Sequence, residues 1–122
     1  MPLATSFYRD RRLIITRGWG HITLADMRAY QQELVQRPEF DPTWAHVFDA
    51  EDAVQFDMSS EEVRQLAATS VLAPSARRAM VATDLATFGF FRMYGTLFEL
   101  QVDGSAVGVF RTLDDAIEWV TP

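Results

Sequence analysis

Six carboxylates crowd one stretch of this 122-residue chain. Asp49, Glu51, Asp52, Asp57, Glu61 and Glu62 fall within fourteen residues, with no basic residue between them. Oxygen ligands at that density suit a hard cation, but the spacing matches no calcium loop, since the glycine of an EF-hand is missing. Ser59 stands three residues before Glu62, and Ser-x-x-Glu is the capping box that opens a helix. Carboxylates in a first helical turn also favour the helix dipole. The expectation is a solvated acidic loop that caps a helix and holds no metal.

The remaining chemistry-bearing residues are few. His21 and His46 are the only histidines and there is no cysteine, which leaves too few ligands for a zinc site of three or four nitrogens and sulfurs. His46 lies three residues before Asp49 on an expected strand, so the two face opposite sides. No serine, Ser59 included, is marked by spacing as part of a triad with them. Gly18-Trp19-Gly20 lacks the third glycine and the helix-opening context of a dinucleotide fingerprint. All 11 basic residues are arginine, which excludes Schiff-base chemistry and a P-loop lysine. The chain is expected to be no enzyme and to need no cofactor.

Composition narrows the partners. The net charge of −6 disfavours nucleic acid, whose phosphates require clustered positive charge. Hydrophobic residues at 48% and charged residues at 23% describe an ordinary globular chain, read as one domain over residues 1–122. The start, MPLATSFYRD, lacks a basic segment followed by an apolar run, and no apolar run approaches the roughly 20 residues that span a bilayer. A cytoplasmic location, without a membrane span, is the expectation.

The elements that would position these residues alternate. Ser6 to Asp10 and Leu13 to Thr16 predict a hairpin. Leu24, Met27, Gln31, Leu34 and Val35 have helical spacing behind Thr23, and Arg37-Pro38 ends that helix. Phe40, Pro42 and Trp44 predict an anchored loop. Ala45 to Asp49 reads as a strand with Val47 and Phe48 inward, followed by the acidic loop and a helix from Ser59. Its stripe is Val63, Leu66, Ala67 and Ser70. Ala79 to Ala82 is a further strand, Asp84 to Leu100 a long helix, Asp103-Gly104 a turn, and Val107 to Phe110 a last strand. Thr112 caps a final helix, with Leu113, Ala116, Ile117 and Val120 inward. The order predicts an α/β domain: a mostly parallel sheet of about five strands, an antiparallel N-terminal strand and about four helices.

Asp49 at a strand end, followed by Asp57-Met58-Ser59-Ser60 at a helix start, resembles the STAS domain of anti-sigma-factor antagonists. There a strand ends in Asp and an Asp-Ser-Ser-Gly element opens the next helix. Arg78-Ala79-Met80-Val81-Ala82, the run Phe88 to Met93, and Val109-Phe110-Arg111 with Ala116 and Trp119 resemble a branch of that superfamily. That branch is the SpoIIAA-like group of small bacterial STAS/Sec14-type proteins. The resemblance implies a non-enzymatic regulatory module that binds a protein partner. It also implies Ser59 as a phosphoacceptor candidate, although Ser60-Glu61-Glu62 replaces the glycine-containing continuation. Its Sec14 side implies the alternative, a carrier of a small apolar ligand or lipid.

The long helix carries the other candidates. Phe90, Met93 and Leu97 share one face, and Phe91, Tyr94 and Phe98 lie roughly 100° round on another. A helix on one sheet needs a stripe only a little over 100° wide. Some of the rings Phe88, Phe91, Tyr94 and Phe98, with Arg92 beside them, are therefore expected to line a pocket or to meet a second copy in a homodimer. Ligands of α/β domains also gather at strand ends, which here carry Trp19, His21, Asp49, Thr83, Asp84, Arg111 and Thr112.

Overall fold

The computed structural model describes residues 2–50, 54–102 and 105–121. Strand β1 (Leu3–Tyr8) turns through a short 3-10 segment, Arg9–Arg11, into β2 (Leu13–Gly18). Strand β3 (Gly20–Thr23) leads into α1 (Leu24–Gln36), and β4 (Ala45–Ala50) and β5 (Val54–Asp57) precede α2 (Ser60–Ala68). Then follow β6 (Arg77–Ala82), α3 (Leu85–Gln101), β7 (Ala106–Phe110) and α4 (Leu113–Val120). Five strands form one sheet in the order β1-β2-β4-β6-β7. Only the β1–β2 pair is antiparallel; the other three pairs are parallel. The mixed sheet, its antiparallel N-terminal pair and the four helices are those expected.

Each helix start has a chemical cause. Thr23 and Ser59 accept from the backbone N–H of Asp26 and Glu62, whose carboxylates accept in return from the cap backbone. Asp84 and Thr112 cap α3 and α4 through the N–H groups of Thr87 and Asp115. Such a cap is worth about 1 kcal/mol. The hairpin end, without an Asn-Gly turn, closes on Arg12 in the left-handed region at φ 49°.

Alternation along the strands divides the core in two. One face of the sheet, with Ile14, Phe48 and Met80, packs under α1, α2 and α3 and forms the larger core with Tyr30, Leu34, Leu66 and Phe91. The other face, with Leu13, Val47, Ala79 and Val81, is covered by α4 through Ala116 and Val120. Val47 and Phe48 are thus both inward, on opposite faces.

Five expectations need correction. Strand β1 runs Leu3–Tyr8, and not Ser6 to Asp10, because Arg9–Arg11 already turn as a 3-10 segment. Ser70 lies past the end of α2 at Ala68 and is not on that helix's stripe. Part of the acidic loop is strand: β5 pairs in parallel with β3, and Ile22 faces Phe56 in register. Val54-Gln55-Phe56-Asp57 alternates apolar with polar, as does the segment it pairs with. Four residues are too short a run to announce a strand when the partner lies more than thirty residues away. On α1, Val35 is exposed and Tyr30 takes the inward place, because Met27, Tyr30 and Leu34 complete the i, i+3, i+7 stripe. Of the Phe40-Pro42-Trp44 anchors, Phe40 and Trp44 pack against the larger core while Pro42 is exposed. Glu51, Asp52 and the Asp103-Gly104 turn lie outside the described residues.

Candidate functional site

The larger core contains a cavity of about 90 Å³ between the sheet and its three covering helices. Its floor comes from two neighbouring parallel strands, where His46 is in register with Arg78 and Phe48 with Met80. Because side chains alternate, these four share the face that α1, α2 and α3 cover. The roof is Met27, Tyr30 and Leu34 of α1, Leu66 of α2, and Phe90, Phe91 and Tyr94 of α3. Phe56 and Met58 close one side and Ser70, Val71 and Leu72 another. Phe56 stacks on Phe90 with ring centroids 4.5 Å apart and planes 5° from parallel. Phe91 meets the Phe48 and Phe56 rings edge-on at 5.9 and 5.4 Å.

Six polar side chains, Tyr30, Gln31, His46, Ser70, Arg78 and Tyr94, interrupt this apolar lining. The Tyr30 hydroxyl reaches the sheet, 2.5 Å from Thr16 Oγ1 and 3.0 Å from His46 Nε2. Thr16 Oγ1 lies 3.0 Å from the same Nε2. Burial, with the positive charge of Arg78 beside it, lowers the His46 pKa to about 4, so its imidazole is neutral at physiological pH. Burial pushes Tyr30 and Tyr94 up to about 12, and both keep their protons. Arg78 is 3% exposed. It donates from Nη1 to Ala76 O at 2.7 Å, and from Nη2 to Ala73 O at 3.0 Å and to Leu72 O and Ser70 Oγ at 3.3 Å. Its guanidinium lies 4.3 Å above the centre of the Phe98 ring. Burial lowers its pKa, but a guanidinium stays charged in any protein environment.

An apolar cavity with a few converging polar groups and perturbed pKa values is the usual form of a small-molecule site. Chemically this one can bind and orient. Ser70 Oγ accepts from Arg78 and from the Leu72 N–H, and among the described residues no base is hydrogen-bonded to it. Among the described residues no group of three or more His, Asp or Glu could hold a metal ion.

A solved structure matches this arrangement of strands and helices over nearly its whole length. An uncharacterised protein of the DUF3478 family from Shewanella loihica PV-4, described as having a SpoIIAA-like fold, superposes with a TM-score of 0.61. The alignment covers 97% of this chain and 93% of that one, at 13% identity. The fold is SpoIIAA-like. No family model and no curated protein matches the sequence, and at this identity the likeness shows the fold alone.

Within the SpoIIAA-like fold the expected site residues disperse. Phe91 and Tyr94 line the cavity. Phe98 does not; it is fully buried beneath Arg78. Phe91 is 3% exposed, so neither Phe91 nor Phe98 forms an exposed patch for a second copy, which corrects that part of the expectation. The cause is α3's position, packed on α2 and β7 at once. Phe88 is half-buried under the Arg111 guanidinium, 4.8 Å from its ring centre. It shares a shallow groove against β7 with exposed Arg92. Trp19 is 41% exposed at the β2–β3 turn. Asp49 is buried beside Arg17, its in-register neighbour, on the α4 side of the sheet. The cavity therefore lies under the helices and not at the strand ends. Ser59 is exposed and its oxygen serves as the helix cap. Next to it, Asp57 pairs with His21 Nδ1 at 2.8 Å and accepts from Gln55 Nε2 at 3.3 Å. No helix among the described residues is long and apolar enough to cross a membrane.

His46, Arg78, Tyr30, Phe56 and Phe90 were not among the expected site residues. A signal for Arg78 exists: an arginine inside the apolar strand Arg77–Ala82 must be buried on one face or the other. His46 shares parity with Phe48, which puts both on one side. Nothing in the sequence says that this is the side covered by three helices.

Proposed function

We propose that this chain is a non-catalytic binding module that holds a small, mainly apolar ligand in the cavity under α1, α2 and α3. The observation that supports it most is the cavity itself. Protein interiors are packed as densely as organic crystals, with few voids larger than a water molecule. The cavity opens partly to solvent, and a ligand that fills it takes the apolar walls out of water, worth roughly 25 cal/mol per Å². The aromatic walls offer dispersion and ring contacts, and His46, Tyr30, Tyr94 and Arg78 offer orientation.

The other expectation, a regulatory module acting on a protein partner through Ser59, has less behind it. The Ser59 oxygen caps α2, and a phosphate there would meet repulsion from Asp57, Glu61 and Glu62.

Native mass spectrometry of the protein purified from its own host tests the proposal. The expected result is a retained small molecule on the wild-type chain. It is absent from Val71→Trp, whose indole fills the cavity. A bare chain in both cases, or a retained molecule that survives Val71→Trp unchanged, would overturn the assignment.

A further inference from the structure

We propose that the ligand is an apolar monocarboxylic acid, bound as its anion with the carboxylate against Arg78 and its apolar body among Phe48, Phe56 and Phe90. This rests on the reading of the cavity as a ligand site and names the chemical class it takes. A buried cation is normally paired with a carboxylate, because desolvating an isolated charge is costly. Arg78 is only 3% exposed, yet among the described residues every acceptor it meets is neutral: three backbone carbonyls and the Ser70 hydroxyl. Those dipoles satisfy hydrogen bonds and leave the net charge in place. Among the described residues lining the cavity there is no Asp or Glu. The missing counter-charge is then something that enters.

Charge and size restrict what that is. Among the described residues Arg78 is the only cation in the lining, since His46 is neutral above about pH 4. One positive charge matches a monoanion, whereas a phosphate monoester would leave about one negative charge unbalanced in an apolar site. Nη2 already serves three protein acceptors and Nη1 one, so a carboxylate oxygen meets Arg78 by charge and through the remaining Nη1 N–H, without the bidentate fork. At roughly 10–15 Å³ per water-sized group, the cavity holds about six to nine such groups, the scale of a medium-chain acid or a phenyl-substituted one. Tyr94 keeps its proton and sits close enough to Arg78 to feel its charge, so the polar end of the cavity offers a neutral donor beside the cation.

The test compares each acid with its uncharged alcohol on the wild-type protein by calorimetric titration at pH 7.5. The pairs are octanoate with octan-1-ol, and 3-phenylpropionate with 3-phenylpropan-1-ol. Charge-assisted hydrogen bonds predict that at least one acid binds roughly tenfold or more tighter than its alcohol. Arg78→Met should bring the acid-to-alcohol affinity ratio down to about one, and a ratio that stays tenfold or more in the folded variant would overturn the assignment of the anion to Arg78. If Arg78→Met fails to fold, the wild-type comparison still decides. Alcohols that bind as well as the acids would overturn the anion assignment and leave the apolar-ligand reading standing. Failure of all four to bind would overturn both.

Discussion

His46 is a residue whose burial should be visible in stability. A free histidine takes up a proton near pH 6.5, but in this fold the imidazole does so only near pH 4. Between those values the unfolded chain binds a proton that the folded chain refuses. The contribution is therefore fully present above pH 6.5 and is lost as pH falls from there towards 4, by up to about 3 kcal/mol. Urea denaturation at pH 7 and pH 4.5 checks this. The wild-type protein should lose about 2–3 kcal/mol more than His46→Gln over that interval. Carboxylates with lowered pKa values, Glu39, Asp41 and Asp84, are common to both proteins and cancel in the comparison. Equal losses would mean that His46 is protonated in the folded protein. Tyr30 and Thr16, by holding Nε2, are the residues that keep the ring turned into the core.

At the scale of elements, α3 separates what could be read from the sequence from what could not. Its start and its excess of rings were legible: Asp84 caps it, and Phe88 to Phe98 carry apolar groups on more than one face. Which ring goes where was not, because a helix apolar nearly all round has no phase to read. Packing supplies the phase. Phe91, Gly95 and Phe98, at i, i+4 and i+7, are all buried, while Phe90 and Tyr94 beside them reach the cavity. Gly95 lets α3 approach β7, since a Cβ there would stand 3.0 Å from Val107 Cγ1. Gly95→Leu should therefore destabilise the fold by about 1–3 kcal/mol. Gly89 has nothing within 4 Å of its would-be Cβ, and Gly89→Ala should stabilise by about 0.5–1 kcal/mol through helix propensity alone. Thermal denaturation of the two variants should give shifts of opposite sign; two destabilised proteins would show that α3 is crowded along its whole length. The β3–β5 pair was illegible for a different reason. Its registration is a contact across the chain between two four-residue segments, and only Ile22 and Phe56 meeting over α3 and β4 gives them cause to align.

For the whole molecule, the decisive feature is asymmetry. Three helices cover one sheet face and one covers the other, so the larger core is the one with room inside it. The alternation of strands and helices in the sequence anticipated the number of helices and the parallel crossovers, yet nothing in it distributed the helices between faces, and the cavity follows from that distribution. The chain's surface carries the acidic excess, while Arg78 puts a lone positive charge at the cavity wall. Four of the five methionines, Met27, Met58, Met80 and Met93, report on this arrangement. Met27, Met58 and Met80 line the cavity, and Met93 is exposed on α3 and does not. The most direct measurement is a carbon-13 methyl-methionine NMR titration with 3-phenylpropan-1-ol and with 3-phenylpropionate. At least one of them should shift the Met27, Met58 and Met80 methyl resonances together, by ring currents from the bound phenyl group, and leave Met93 in place. Shifts confined to Met93, or three cavity methyls that stay unmoved by both compounds, would contradict it.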